Sequence, residues 1–362
     1  MKRYHELDSI RGVAALAVFV LHLLIVLGFT STAYFSFLEK SPLRILWSGN
    51  EAVIIFFVLS GFVLSLPFIK GNKVSYPEFI VKRFFRIYIP FVVTLVIAII
   101  ARSFLTIEGQ GDIWSKSLSF GSVVEHIFLI GMYDQKQLNP VIWSLVHEMR
   151  IYIIFPLLMY FVVYKKITHV ILGGTILSIA GIGLHYVFAD KVDYYTNYFD
   201  TLHYVLMFIM GALLAKHREY IINKLRGLNK LTFSTVSILA LLLYTYSSLL
   251  PPYVSDWFTA SAGCIIIAVS MASSKISKML NKKVFIELGN ISYSLYLLHF
   301  IILLSFISLI DNAFVVLILT IISTFVVSKV SSIYLEGAGI KFGKKIASAL
   351  KKNSELRNEE IA

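Results

Sequence analysis

The sequence predicts an all-α, polytopic integral membrane protein with about ten transmembrane helices and both termini cytoplasmic, and three observations carry that prediction. Hydrophobic residues fill 57% of the 362 positions against 15% charged, with a mean hydropathy of +0.78, which excludes an ordinary soluble domain. Apolar runs long enough to cross a bilayer recur along the whole chain. Lysine and arginine are also shared unequally between alternate breaks. With the N-terminus inside, 25 fall in cytoplasmic segments and five (Lys40, Arg44, Lys116, Lys136 and Lys191) in external ones.

The first run, 9–29, exceeds a signal-peptide core, contains Arg11 and has no small-residue cleavage pattern behind it, so it is expected to be a retained helix. Further spans follow near 47–69, 87–107, 141–164, 167–188, 199–215, 231–250, 257–272, 285–309 and 312–334, separated by charged or Pro- and Gly-marked breaks. Residues 70–86 and 216–230 then face the cytoplasm, and 108–139 and 189–198 face outward. The external stretch 123–132 is apolar but too short to span. Residues 1–340 read as one transmembrane domain and 341–362 as a basic cytoplasmic tail, amphipathic or frayed.

The net charge of +12 belongs mainly to the cytoplasmic face, where anionic membrane lipid attracts Lys and Arg. Nucleic acid is not needed to explain it, since no basic groove with interleaved aromatics appears. The lone Cys264 excludes an internal disulfide and reads as a small core thiol, and no metal-ligand spacing occurs.

Against this apolar background a few polar residues stand out, because ionisable groups inside a bilayer are costly. Arg11 and His22 lie eleven residues apart in the first span, which is close to three turns of helix and about 16 Å of rise. Both therefore share a face, with Arg11 at the cytoplasmic edge and His22 near mid-membrane. The second span carries Asn50, Glu51 and then Phe56-Phe57-Val58-Leu59-Ser60-Gly61-Phe62, where Ser60 and Gly61 admit a neighbouring backbone; plain small-residue packing is the alternative. At the cytoplasmic start of span three, Arg83 and Arg86 sit one turn apart and can converge on phosphate, or simply anchor the helix to headgroups.

Asn139 as N-cap and Pro140 at the first helical position mark the outer start of span four. Trp143 and Ser144 follow, and Ser144, Glu148 and Tyr152 share one face at i, i+4, i+8. Glu148 lies about 12 Å along this helix, a depth close to that of His22, and a carboxylate there can orient and charge-stabilise an imidazole. Structural compensation of Glu148 by Arg150 or Arg102 is the alternative. In span nine, Ser292, Tyr296 and His299 form one stripe, with His299 either a competing base or a packing histidine. His126, His185 and His203 have no such company and read as structural or interfacial.

Taken in order, these motifs resemble the membrane-bound acyltransferase family 3: Arg11-x10-His22, the Phe56–Phe62 segment, Arg83-x2-Arg86, Trp143-Ser144-Leu145-x2-Glu148 and Ser292-Tyr293-x-Leu295-Tyr296-Leu297-x-His299. The resemblance covers residues 6–336, and the family's late Glu-x-Pro stands here as Glu336-Gly337-Ala338, without the proline. It implies transfer of an acyl group, usually acetyl, from cytoplasmic acyl-CoA to a hydroxyl of a surface polysaccharide or glycolipid precursor. Acetyl-CoA would be a co-substrate rather than a permanently bound cofactor, and the location a plasma (bacterial inner) membrane.

The residues suit such chemistry. Arg11, Arg83 and Arg86 can hold the phosphates of coenzyme A. His22 can act as general base toward the acceptor hydroxyl, supported by Glu148, or become transiently acylated. Ser60, Gly61, Trp143, Ser144, Tyr296 and His299 are supporting candidates. The rival reading is a proton-coupled transporter or flippase with His22, Glu148 and His299 as a relay; the lack of internal repeats counts against it.

Overall fold

The computed structural model describes residues 4–71, 74–105, 113–114, 118–188 and 195–361, the side chains of 352–361 excepted. Lys2, Arg3, Lys73, Lys116 and Lys191, which enter the charge split, lie outside the described residues, as do parts of the 70–86, 108–139 and 189–198 segments. Among the described residues there is no strand, and ten helices are long and apolar enough to cross a membrane. They are α1 (His5–Val26), α2 (Gly49–Ile69), α3 (Tyr76–Phe104), α4 (Trp143–Tyr164), α5 (Ile167–Phe188), α6 (Tyr198–Arg226), α7 (Lys230–Tyr246), α8 (Pro252–Ala272), α9 (Lys283–Leu309) and α10 (Ala313–Ser331). A further helix, α11 (Gly337–Ile361), follows a π-helical turn at Ser332–Glu336.

The largest departures from the expected boundaries occur where charge interrupts an apolar run without breaking the backbone. Helix α3 begins at Tyr76 rather than near 87, and α6 runs on to Arg226 rather than ending near 215. Lysine and arginine are good helix formers, so they end a hydropathy signal without ending a helix. The tail is helical through Ile361, and no proline follows Glu336 to stop it.

The chain forms two compact units. The first comprises Met1–Ile69, Met159–Asp193 and Asn197–Tyr296. Its centre is the crossing of α2 and α6, where glycine is required on both helices. A Cβ on Gly61 would lie 2.1 Å from the Phe208 carbonyl oxygen, and one on Gly211 would lie 2.0 Å from that of Val58. Phe57 packs its buried ring 4.8 Å from Tyr204 and 5.6 Å from Phe208, centroid to centroid. Glu51, buried at the start of α2, is neutralised by Arg44, which also reaches Glu39 at 2.7 Å and donates from Nε to the Thr245 carbonyl at 3.0 Å.

The second unit comprises Lys70–Leu158, Tyr194–Thr196 and Leu297–Ala362. Here α3 and α4 run antiparallel, with Phe79 stacked on Phe155 at 6.0 Å and the Tyr76 hydroxyl donating to the Ile153 carbonyl at 3.1 Å. At the opposite end Arg102 donates to the Gln137 carbonyl. The predicted cap is present: Asn139 Oδ1 accepts from the Val141 amide at 3.4 Å, and Pro140 opens a short 3₁₀ turn that leads into α4. Asn139 Nδ2 also donates to the Leu297 carbonyl at 2.9 Å.

Helix α11 lies against the first half of α3. A Cβ on Gly339 would sit 2.5 Å from the Phe85 carbonyl oxygen, and Phe342 meets Phe85 edge-on at 4.8 Å. The buried positions Glu336, Gly339, Gly343 and Ala347 form one stripe at helical spacing, leaving Lys341 and Lys345 on the exposed side.

Candidate functional site

Helix α1 is unbroken from His5 to Val26, so Arg11 and His22 do share a face. Both are half-buried. Arg11 Nη1 lies 4.0 Å from Asp8 Oδ1, one turn earlier. Beside it, α1 meets α9 backbone to backbone: a Cβ on Gly12 would be 2.5 Å from the Gly289 nitrogen, and one on Gly289 would be 2.3 Å from the Asp8 carbonyl oxygen. The Gly289-Asn290 dipeptide is thus the seat on which the Arg11 turn rests. Tyr296, two turns further along α9, meets Phe56 of α2 edge-on at 5.8 Å. The first unit therefore gathers the α1 and α2 clusters with Ser292 and Tyr296 of α9, while His299 of the α9 cluster belongs to the second unit. Within it Gly61 is a helix-crossing residue, and Ser60 beside it is buried.

The second unit gathers the Arg83/Arg86 and Trp143–Tyr152 clusters. Tyr152 donates its hydroxyl to Glu148 Oε1, so the predicted common face of Glu148 and Tyr152 is occupied by a hydrogen bond to the carboxylate. The antiparallel register that stacks Phe79 on Phe155 brings Arg83 and Arg86 opposite this turn of α4, and both guanidinium charges act on the Tyr152 hydroxyl. This corrects the expected position of the two arginines at the start of a helix: they lie seven and ten residues inside α3.

Elsewhere in the same unit Ser144 and His299 are buried, and the Trp143 ring stands 6.0 Å from that of His147. Arg150 joins α4 to the segments beyond its start. Its Nε donates to the Ile130 carbonyl at 2.9 Å, and its Nη2 donates to those of Gly131 and Thr196 at 2.7 and 2.6 Å. Nearby, the His126 ring is buried 4.3 Å from that of Tyr133, with Nδ1 2.7 Å from the Ser122 carbonyl. Burial pushes the His126 pKa below its usual 6.5 and that of Tyr133 above the ordinary phenol value.

A third polar group was not expected. In the first unit, Ser178 of α5 lies 2.7 Å from His203 Nδ1 of α6, and His203 Nε2 lies 3.2 Å from Asp256 Oδ2 of α8. Trp257 Nε1 donates to Ser178 Oγ at 2.9 Å. An indole can only donate, so Ser178 Oγ accepts from Trp257, and the two ring nitrogens of His203 bridge Ser178 and Asp256. Adjoining this chain, Tyr253 donates to Asp200 Oδ1 at 2.9 Å, Asn197 Nδ2 donates to Asp200 Oδ2 at 2.6 Å, and His185 Nδ1 stands 3.1 Å from Asp200. His185 and His203 are thus fully engaged structural residues. The legible signal was two aspartates, Asp200 and Asp256, each near the start of a long apolar stretch. Among the described residues no group of His, Cys, Asp and Glu has the geometry to hold a metal ion.

Ten apolar helices that enclose carboxylate, guanidinium and imidazole groups among the described residues define a multi-pass membrane protein. The family is specific: the acyltransferase domain of acyltransferase family 3 matches residues 4–333, and the chain belongs to that family. It is accordingly an acyltransferase by family. No curated protein and no solved structure matches the chain.

Proposed function

We propose that this acyltransferase moves an acyl group, in the first place acetyl, from acyl-CoA at the cytoplasmic side of a bacterial inner membrane to a hydroxyl of a cell-surface polysaccharide or glycolipid precursor. Arg11, Arg83 and Arg86 take the phosphates of coenzyme A, for which forked guanidinium groups are suited. His22 removes the proton of the acceptor hydroxyl as its oxygen attacks the thioester carbonyl, and the departing thiolate takes the proton back. Glu148 supports the charge that develops on the imidazole, the pairing resting on the equal depth reckoned along the two helices from sequence.

The observation that carries the reading is the grouping of Arg83, Arg86, Tyr152 and Glu148 within the matched domain. A pair of half-buried cations beside a hydrogen-bonded carboxylate, set in apolar helices, is costly to maintain for packing alone. The test is consumption of acetyl-CoA by purified protein, with release of free thiol, when acceptor glycan is supplied. Thiol release that depends on the acceptor supports acyl transfer; movement of a solute across vesicles without thiol release would replace it with transport.

A further inference from the structure

A groove of about 470 Å³ runs along the first unit between α5, α6 and α8, and none of the proposed catalytic or coenzyme-binding residues lines it. Ile171, Leu206 and Leu213 are among its walls, and it reaches from Ile221 to Leu206 on α6. Those positions are fifteen residues apart, about 22 Å of helix, and exceed the roughly 15 Å half-thickness of a hydrocarbon core. The groove is therefore long enough for a complete acyl chain of a membrane lipid.

Its two ends differ in chemistry. The outer end is closed by Trp257, whose indole is held by Ser178. The inner end carries His217, whose Nε2 is buried in the groove lining without a hydrogen-bond partner. A buried polar atom left unpaired costs free energy, so it marks a place where a ligand atom belongs. Cations surround that end. Arg218, next to His217, is taken by the Ala215 carbonyl at 2.7 Å and Glu219 Oε1 at 3.2 Å, but Lys165 and Lys166, which immediately precede the groove-lining Ile167, are both exposed and have no carboxylate partner among the described residues. Lys216, by contrast, is spent on the Val162 and Val163 carbonyls at 2.7 and 3.1 Å.

We propose that this groove is a specific site for an anionic phospholipid. One acyl chain fills the slot as far as Trp257, and an acidic headgroup lies at Lys165 and Lys166, within reach of His217. Charge complementarity selects the headgroup, because a zwitterionic lipid fills the slot equally well but gains nothing from the two unpaired lysines. The site is independent of the acyl-transfer reading: it needs only the helices that form the groove.

The experiment places the full-length protein in phosphatidylcholine nanodiscs doped with a photoreactive lipid that carries a diazirine in one acyl chain, bearing either a phosphatidylglycerol or a phosphatidylcholine headgroup. Cross-linked peptides are then mapped by mass spectrometry. Wild-type protein is expected to be labelled on the α5, α6 and α8 groove residues preferentially by the phosphatidylglycerol probe. Lys165→Ala with Lys166→Ala should lower that labelling about fivefold per lysine removed and leave the phosphatidylcholine probe unchanged. Leu213→Trp, which fills the slot, should remove groove labelling by both probes in protein that still elutes as a single species. Equal labelling by the two probes in wild type would overturn the proposal, as would phosphatidylglycerol labelling indifferent to the lysines. Either result would reduce the groove to ordinary lipid-facing surface.

Discussion

The Tyr152→Phe substitution isolates one bond. It deletes the hydroxyl that donates to Glu148 Oε1 and keeps the ring, which is buried at 6% exposure, so packing is conserved. A hydrogen bond to a charged group contributes about 1.5–3 kcal/mol, and about 1.4 kcal/mol corresponds to tenfold in an equilibrium or rate. If Glu148 acts on the reacting groups, misplacing it should lower turnover by about 10- to 150-fold, with Tyr152→Phe still inserted. Initial rates of thiol release from acetyl-CoA in detergent, normalised to folded protein by size exclusion, measure this directly. Apparent affinity for acyl-CoA should move much less than turnover, because the hydroxyl binds a carboxylate rather than a phosphate. Turnover within about twofold of wild type would show that the bond serves folding alone and that Glu148 has no part in the reaction.

Replacing either Arg83 or Arg86 by alanine should weaken acyl-CoA binding while the protein still inserts, and lysine should restore only part of the loss; unchanged affinity in both alanine variants would make them anchors of α3. The buried His126 titrates below 6.5 in the folded segment, so the unfolded segment holds the extra proton and stability is lost progressively as pH falls below about 6.5. The protection of residues 118–137 against hydrogen exchange, after division by the intrinsic exchange rate at each pH, should therefore fall from pH 7.5 to pH 5 in wild type and change little in His126→Phe; equal pH dependence would place the titrating group elsewhere. Cysteine placed at position 224 should resist an impermeant thiol reagent added to intact cells, and labelling there would reverse the orientation assigned from charge.

How much was legible depended on whether a residue's partner lay on its own helix. The ten spans, the Asn139-Pro140 cap and the Glu148–Tyr152 pair all follow from periodicity or local capping, and the structure contains them. Gly61 was readable as a point of close approach, though its counterpart Gly211 was not, because nothing in a single helix says which neighbour it meets. The early start of α3 was hidden by Lys82, Arg83 and Arg86, which lower hydropathy over a stretch that is fully helical. The Ser178–His203–Asp256–Trp257 chain was hidden for another reason. Its members come from three helices, separated by 25, 53 and 79 residues along its three contacts, and each looks like an isolated polar side chain in its own run. Helix α11 was legible only as an amphipathic or frayed tail, because glycine and alanine on much of its contact face, Gly339, Gly343 and Ala347, carry no hydrophobic stripe.

The central claim is that a base on α1 drives acyl transfer. Its most direct test is turnover of acetyl-CoA with acceptor by His22→Ala, measured beside acyl-CoA binding by the same preparation and beside His299→Ala. The account predicts a loss of roughly 10²–10⁴-fold in turnover for His22→Ala with binding retained, and a much smaller loss for His299→Ala. Near-normal turnover by His22→Ala together with an inactive His299→Ala would contradict it and move the base to α9.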